Sequence, residues 1–218
     1  MKTTLSPLDR LIIGFDRALR TVNPGATTAT RPSPAELAEQ EAPADSIDAV
    51  NKQRHTAGLM RINHTGEVCA QALYRGQALT ARSNDVRDAM QESALEEEDH
   101  LAWCEQRLTE LNAKPSLLNP AFYLASFGMG ALAGMAGDRI SLGFIAATED
   151  QVCEHLREHL QQLSNGDKKT RLILEQMLED EAAHGNKAIQ AGGVEFHDAI
   201  KKMMTLMSKL MTGTTYHI

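Results

Sequence analysis

Glu97-Glu98-Asp99-His100 and Glu181-Ala182-Ala183-His184 are the two stretches of sequence that decide the fold. In each stretch a glutamate precedes a histidine by three positions. Residues with this spacing in a helix lie about 60° apart around the axis and one turn apart along it, so their side chains lean towards one point. A carboxylate and an imidazole in this arrangement can bind one metal ion together.

The apolar periodicity and the turn signals around these stretches predict four long helices. We expect helices over about residues 46–81, 85–112, 119–163 and 168–191, with Ser164-Asn165-Gly166-Asp167 as one of the turns between them. Strong helix formers are plentiful, and the β-branched runs that would indicate strands are missing. Because short connections make successive helices antiparallel neighbours, we predict an all-α antiparallel four-helix bundle.

The first and third predicted helices each carry a lone glutamate in a small or apolar setting. Glu67 follows Asn63-His64-Thr65-Gly66, and Glu149 follows Phe144-Ile145-Ala146-Ala147-Thr148. A carboxylate in such surroundings points towards a core and needs a partner there. The order along the chain is therefore Glu, Glu-x-x-His, Glu, Glu-x-x-His, one element per helix, which is the arrangement of dimetal carboxylate bundles.

These positions form a candidate site for two metal ions. Four carboxylates carry four negative charges, which two divalent cations neutralise; without metal the carboxylates repel one another and raise each other's pKa. A mixture of carboxylate and imidazole ligands favours iron or manganese over softer metals. We predict two iron ions per subunit, held by the catalytic and metal-binding residues Glu67, Glu97, His100, Glu149, Glu181 and His184.

Some neighbours of these residues have more than one interpretation. The run Glu96-Glu97-Glu98 is by itself typical of a solvated face, and only Glu97 in it has the three-residue spacing to the histidine. Asp99 and Asp180 are either surface residues or acceptors that orient an imidazole. His155, further along the third helix, is either a group at the site or an exposed helix position.

Composition excludes several other classes of protein. The net charge is −7, from 22 basic and 29 acidic residues, which argues against a nucleic-acid partner. Cys69, Cys104 and Cys153 form no Cys-x-x-Cys pair, which argues against zinc ribbons and disulfide frameworks. The N-terminus shows no uninterrupted apolar stretch of the secretory type.

Residues 117–137, LLNPAFYLASFGMGALAGMAG, contain no charged side chain. Their length is close to the roughly 20 residues of a membrane span, but Asn119, Pro120 and several glycines interrupt them. The Gly130-x-x-x-Gly134 pattern indicates close helix packing. Two interpretations stay open: a buried helix or subunit interface, or an apolar surface that dips into a bilayer and admits a lipid.

The two ends of the chain predict additional amphipathic helices. Residues 1–22 form one of them, packed either on the bundle or on a membrane surface. Residues 23–45 are rich in Pro, Ala and Thr and are predicted to be a linker. The predicted domain covers residues 46–218 and ends with a helix over about 195–211.

The motifs resemble those of the demethoxyubiquinone hydroxylases, a family that acts late in ubiquinone biosynthesis. The start Asn-His-x-Gly-Glu is more specific than the Glu-x-x-His pairs, because generic ferritins lack it. The resemblance covers about residues 46–191, and its carriers are Asn63-His64-Thr65-Gly66-Glu67, Glu97-Glu98-Asp99-His100-Leu101, Ala147-Thr148-Glu149-Asp150 and Glu181-Ala182-Ala183-His184.

This resemblance implies a ferritin-like fold and a di-iron monooxygenase that uses O2 to hydroxylate a 2-polyprenyl-3-methyl-6-methoxy-1,4-benzoquinol. It implies that the six residues are iron ligands, with Glu97 and Glu181 bridging both ions. It also implies peripheral membrane contact, here through residues 117–137, and leaves room for a homo-oligomer and for other proteins of ubiquinone biosynthesis. Because no mitochondrial targeting pattern is evident, we expect attachment to the cytoplasmic side of the cell membrane.

A ferritin-like protein that oxidises and stores iron is the alternative, since the same ligand set is compatible with it. An iron-storage protein has no need of the apolar stretch over residues 117–137. The hydroxylase interpretation is therefore favoured.

Overall fold

The computed structural model describes residues 6–38 and 47–218, in which every regular element is a helix and no strand occurs. A short 3-10 helix covers Pro34–Leu37. The prediction of an all-α fold is confirmed. The α-helices of these residues are α1 (Pro7–Val22), α2 (Ile47–Thr80), α3 (Asn84–Glu110), α4 (Asn119–Ala136), α5 (Asp138–Gln162), α6 (Lys168–Gln190) and α7 (Asp198–Thr215).

Helices α2, α3, α5 and α6 form the bundle. Helix α2 contacts α3 and α5, and α6 contacts the same two helices. Each of the four contributes at least one buried side chain to one continuous apolar cluster, among them Met60, Trp103, Leu156 and Met177. Burying such large side chains supplies the main driving force for the bundle, and it sets the distances between the four helix axes.

The predicted third helix, 119–163, is in fact two helices. The break falls at Gly137, whose φ of 120° and ψ of 155° suit glycine and strain other residues. The carboxylate of Asp138 then accepts hydrogen bonds from the backbone amides of Arg82 (2.9 Å) and Ser83 (2.8 Å), which holds the new helix start against the α2–α3 turn. As a result, only α5 belongs to the bundle, and α4 lies outside it.

Helix α4 packs closely along α2 and runs in the same direction. Backbone meets backbone because both helices have glycine at the contact: a Cβ on Gly130 would overlap Leu73, and one on Gly76 would overlap the carbonyl of Phe127. The Thr80 hydroxyl also donates a 3.0 Å hydrogen bond to the carbonyl of Ala131. The packing role predicted for the Gly-x-x-x-Gly pattern is confirmed.

The side of α4 that faces away from α2 is apolar and exposed. Leu124 and Leu132 are 71% and 66% exposed, and Met135 follows on the same helix. Exposed apolar residues also lie on α1, including Phe15, and on α7, including Leu206. None of the helices in residues 6–38 and 47–218 has the length and hydrophobicity needed to cross a membrane.

Helix α7 shares a side of the bundle with α4. Both helices contact α2 and α5. Ser208 on α7 forms a 2.9 Å hydrogen bond with His155, and Tyr216, directly after α7, forms one of 2.7 Å with His55. The α2–α5 side therefore carries two helices whose outer faces are apolar.

The first part of the predicted linker lies against the bundle. Ala35 is buried in the main apolar cluster, and the backbone amide of Thr30 donates a 2.6 Å hydrogen bond to Asp99 on α3. Residues 39–46, like residues 1–5, lie outside the described part of the chain. The boundaries at residues 22, 45 and 46 stay predictions.

The close α2–α4 contact makes a stability prediction. Gly130→Ala should lower the free energy of unfolding by about 1–3 kcal/mol, because its Cβ meets the backbone of Leu73. Gly128→Ala, on the same helix with no atom within 4 Å of the added Cβ, should instead raise it by roughly 0.5–1 kcal/mol through helix propensity. Urea unfolding measures both, and equal effects of the two substitutions would contradict the described contact.

Candidate metal centre

The six predicted site residues meet in the middle of the bundle. Helix α2 supplies one glutamate, α3 a Glu-x-x-His pair, α5 one glutamate and α6 the second pair. All six side chains are buried, none more than 4% exposed. Their potential ligand atoms form two groups, each within 4.8 Å: Glu67, Glu97, His100 and Glu181, here called the His100 half-site, and Glu97, Glu149, Glu181 and His184, the His184 half-site.

Each imidazole turns its Nδ1 atom towards the carboxylates. His100 Nδ1 lies 3.2 Å from Glu181 Oε1, 3.3 Å from Glu97 Oε2 and 3.8 Å from Glu67 Oε2. His184 Nδ1 lies 3.2 Å from Glu97 Oε1 and 3.4 Å from Glu181 Oε2. Glu97 and Glu181 thus belong to both half-sites and connect them.

The Nε2 atoms of the two imidazoles point away from the centre towards further carboxylates. His100 Nε2 lies 2.9 Å from Asp180 Oδ2, and His184 Nε2 contacts Glu96 Oε2. In both cases the acid directly precedes the glutamate of one Glu-x-x-His pair and contacts the histidine of the other pair. A carboxylate in this place fixes the ring orientation and leaves Nδ1 available as a metal ligand.

Tyr74 holds the glutamate of α5. Its hydroxyl donates a 2.6 Å hydrogen bond to Glu149 Oε1, and both side chains are buried. Burial, together with the negative charge of Glu149, raises the pKa of Tyr74 well above its usual value, so the hydroxyl keeps its proton. This bond leaves Oε2 as the free oxygen of Glu149.

Two of the four carboxyl groups favour the protonated state in the protein without metal. Burial raises the pKa of Glu67 well above its usual value, and the charges of Glu97 and Glu181 raise it further. The pKa of Glu149 is raised well above its usual value by burial and by the charges of Glu181 and Glu97. A metal ion must therefore displace protons from these two groups.

The imidazoles favour the opposite charge. Burial acts to lower the pKa of His184, but its contacts with Glu181 and Glu97 outweigh burial and raise that pKa to about 12. Burial also acts to lower the pKa of His100. Contacts with Asp180, Glu181 and Glu97 outweigh burial and raise that pKa well above its usual value. Burial acts to raise the pKa of Glu97, but hydrogen bonds to both histidines outweigh burial and lower that pKa below its usual value.

The free oxygens of the centre fit a pair of metal ions. Glu67 Oε2 and Glu149 Oε2 are buried and have no hydrogen-bond partner in the described part of the chain. Leaving a buried carboxylate oxygen without a partner is costly, whereas a bound cation satisfies it. The donor set of four carboxylates and two imidazoles suits iron or manganese, and its four negative charges balance two divalent ions.

The remaining sequence alternatives have clear outcomes. Asp180 contacts the imidazole of His100, as expected of an acceptor that orients the ring. Asp99 instead accepts hydrogen bonds from Thr30 and Arg31. His155 bonds Ser208 on α7 and belongs to neither half-site.

Sequence reasoning missed Glu96, Tyr74 and Arg31. Arg31 lies in the predicted linker, yet its side chain contacts both Asp180 and Asp99. The signal for Glu96 was present, because both pairs read acid-Glu-x-x-His.

Four bundle helices that bring two such half-sites together have the arrangement found in dimetal carboxylate proteins. The family model described as "Ubiquinone biosynthesis protein COQ7" matches residues 54–215. The chain belongs to this family.

Relatives cover nearly its whole length. A 3-demethoxyubiquinol 3-hydroxylase of Azotobacter vinelandii is 61% identical over 213 residues, which are 98% of this chain and 97% of that protein. Proteins of the same name from Stutzerimonas stutzeri and Acinetobacter baylyi are 60% and 58% identical, each over at least 97% of both chains.

Protonation of the centre predicts how stability depends on pH without metal. Because Glu67, Glu149, His100 and His184 have raised pKa values when folded, the folded state binds more protons, and its stability is lost as pH rises through those values. For the glutamates this loss begins above their usual 4.5, and for His184 it runs from 6.5 to about 12.

The metal-free protein should therefore melt lower at pH 9 than at pH 6. We expect a loss of at least about 1.4 kcal/mol, equivalent to roughly 3–6 °C in Tm. A Glu67→Gln, Glu149→Gln double variant should show a flatter pH dependence, because two of the titrating groups are gone. A metal-free Tm that stays constant or rises over this range would contradict the described charge state.

Proposed function

We propose that this chain is an O2-dependent di-iron monooxygenase that hydroxylates the ring of 2-polyprenyl-3-methyl-6-methoxy-1,4-benzoquinol in ubiquinone biosynthesis. The observation that carries the proposal is the pair of buried half-sites that share Glu97 and Glu181. Membership of the family and relatives named 3-demethoxyubiquinol 3-hydroxylase support the substrate. The iron-storage alternative finds no support in those relatives.

In this proposal the six site residues are ligands of two iron ions. Glu67 and His100 would hold one ion, Glu149 and His184 the other, and the two shared glutamates would contact both. Two iron ions bound there would supply O2 activation; with two electrons from an external reductant and two protons, one oxygen atom would replace a ring hydrogen as a hydroxyl group and the other would leave as water.

The protein's own groups keep this centre in one arrangement. Asp180 and Glu96 hold the outer nitrogens of the imidazoles, and the Tyr74 hydroxyl holds one oxygen of Glu149. Because these partners are already in place, the ligands need little reorganisation when metal binds. The apolar cluster below the centre, which includes Trp103, keeps bulk water away from it.

A narrow cleft between α2 and α5 is the proposed entrance for the substrate ring; its volume is about 10 Å³, enough for one water molecule, so its side chains would have to move apart to admit a ring. It reaches Glu149 of the His184 half-site, and its walls combine apolar side chains with a few polar ones. Apolar walls suit an aromatic ring, while the polar groups suit its oxygen substituents. The residues that line the cleft are Ala70, Leu73, Tyr74, Gln77, Phe144, Ile145, Thr148 and Glu149.

We propose that the protein attaches peripherally to the cytoplasmic side of the cell membrane through residues 117–137. The exposed face of α4, with Leu124 and Leu132, supports this contact. Helix α4 packs on α2 and α5, which also frame the cleft, so a polyprenyl tail could stay in the bilayer while the ring enters the protein. A homo-oligomer and contacts with other proteins of ubiquinone biosynthesis stay predictions.

Turnover of a defined substrate tests the reaction. Protein reconstituted with Fe(II) and supplied with the quinol, a reductant and O2 should form a product that contains one more oxygen atom, detected by mass spectrometry. Glu181→Gln, which alters a ligand shared by both half-sites, should lower turnover at least about 100-fold. Glu179→Gln, an exposed glutamate on the same helix, is the matched control and should keep full activity.

Metal analysis in the same experiment separates the hydroxylase from iron storage. Two iron atoms per chain are expected for the hydroxylase, whereas a storage protein takes up many. Two bound irons without any hydroxylated product would refute the proposed reaction.

Flotation with lipid vesicles tests the membrane contact. Leu124→Glu combined with Leu132→Glu should weaken binding to phosphatidylethanolamine–phosphatidylglycerol vesicles at least about tenfold, since two leucine side chains no longer enter the bilayer. Leu37→Glu is the control, because Leu37 is 84% exposed but lies beside α6. Equal flotation of the double variant and the wild type would argue against α4 as the contact.

A further inference from the structure

The two half-sites have the same inner pattern but different outer surroundings. Each histidine is contacted through Nε2 by the acid that precedes the glutamate of the opposite pair: Asp180 for His100 and Glu96 for His184. The side chain of Asp180 is 18% exposed, while that of Glu96 is 36% exposed. Water therefore competes more strongly for the carboxylate behind His184.

Arg31 adds to this difference on the His100 side only. Its guanidinium contacts Asp180 Oδ2 at 2.9 Å and Asp99 Oδ2 at 2.7 Å, so one side chain joins carboxylates from α6 and α3. Gln176 donates a 3.1 Å hydrogen bond to the other oxygen of Asp180. The carboxylate behind His100 is consequently held on both of its oxygens.

Arg31 is itself held in place. Its guanidinium lies 4.8 Å from the ring centroid of Trp103, and the Trp103 indole donates a 3.3 Å hydrogen bond to the carbonyl of Arg31. Asp99, only 3% exposed, accepts further hydrogen bonds from the backbone amide and hydroxyl of Thr30. These contacts fix the segment before the 3-10 helix against the bundle, and with it the guanidinium.

The corresponding cation on the other side is loosely placed. Lys187 approaches Glu96 with its Nζ 3.9 Å from Oε2, and its side chain is 65% exposed. A solvent-exposed lysine contact of this length contributes little to the position of its partner. The two imidazoles therefore differ in how firmly their orientation is set.

We propose that Arg31 is a positioning residue that makes the two metal half-sites unequal. By holding Asp180 against His100, it makes the His100 half-site bind its ion more tightly. The His184 half-site binds second and releases its ion first. Partners that orient a ligating histidine typically change metal affinity about 10–100-fold, which gives the expected size of the difference.

This inference rests on the metal centre of the proposed function, and it is tested by metal binding without turnover. Metal-free full-length protein is titrated anaerobically with Co(II) alone, followed by absorption and by metal analysis. The wild type should bind two ions in two steps with Kd values about tenfold apart or more. Glu149→Gln, which alters a ligand of the His184 half-site only, should weaken the second step and keep the tight one.

Substitution of Arg31 should affect the tight step alone. Arg31→Met keeps an unbranched side chain but loses both carboxylate contacts, and should weaken the tight step about tenfold, also in the Glu149→Gln background. Lys187→Met is the matched control and should leave both steps within about twofold. Arg31→Lys keeps a positive charge but cannot contact Asp180 and Asp99 through two separate nitrogens. The affinity of its tight step should therefore lie between those of the wild type and Arg31→Met.

The outcomes distinguish this inference from the proposed centre. If wild-type protein binds no Co(II), the metal centre itself is wrong. If two ions bind with equal affinity, or if both Arg31 variants leave the tight step unchanged, only the inference fails. If Arg31→Met loses its folded circular dichroism signal, the Arg31→Lys result decides alone, and full affinity in that variant would overturn the role of the two-pronged contact.

Discussion

The confinement of four carboxylates in one buried volume is the constraint on which this structure depends. Like charges in a medium of low dielectric repel strongly, and each buried charge also loses its hydration. Two imidazoles, held at about 3 Å from the shared glutamates Glu97 and Glu181, offset part of this repulsion in the protein without metal. Protonation of Glu67 and Glu149 offsets another part. A pair of cations bound there would replace both compensations at once, so that metal binding, proton release and stability would be coupled.

The centre was predictable from sequence because helical geometry is local. Three-residue spacing alone sets Glu97 beside His100 and Glu181 beside His184, and a bundle of four helices leaves few places for two further buried glutamates. The outer groups were not predictable in this way. Arg31 and Asp180 are far apart in the sequence, and no repeating pattern connects them. Arg31 also lies in a segment whose composition indicated a linker. Its position follows from tertiary contacts of Thr30 and Trp103, which composition does not encode.

Helix α4 shows the same division between local and tertiary information. The apolar stretch and its Gly-x-x-x-Gly pattern correctly predicted close packing, because small residues let two backbones approach. The single helix predicted through Gly137 was wrong, since an isolated glycine is tolerated in helices as well as at their ends. What decides the break is Asp138, whose carboxylate accepts the amides of Arg82 and Ser83 from the far end of α2. That contact exists only once the bundle has formed.

The break at Gly137 also has a functional consequence. Since α5 alone continues into the bundle, α4 is free to lie on the outside, along the same two helices that frame the cleft to Glu149. Glu149 belongs to the His184 half-site, whereas the Arg31 contacts lie behind His100. The half-site that is held less firmly is therefore the one next to the cleft. In the proposed enzyme, the ligands of the His184 half-site would have more freedom to adjust when a substrate ring entered, while Asp180 would keep His100 in one orientation. The proposed difference between the half-sites thus comes from contacts outside the pattern that the two Glu-x-x-His pairs share: Arg31 and Gln176 on Asp180, against an exposed Lys187 on Glu96.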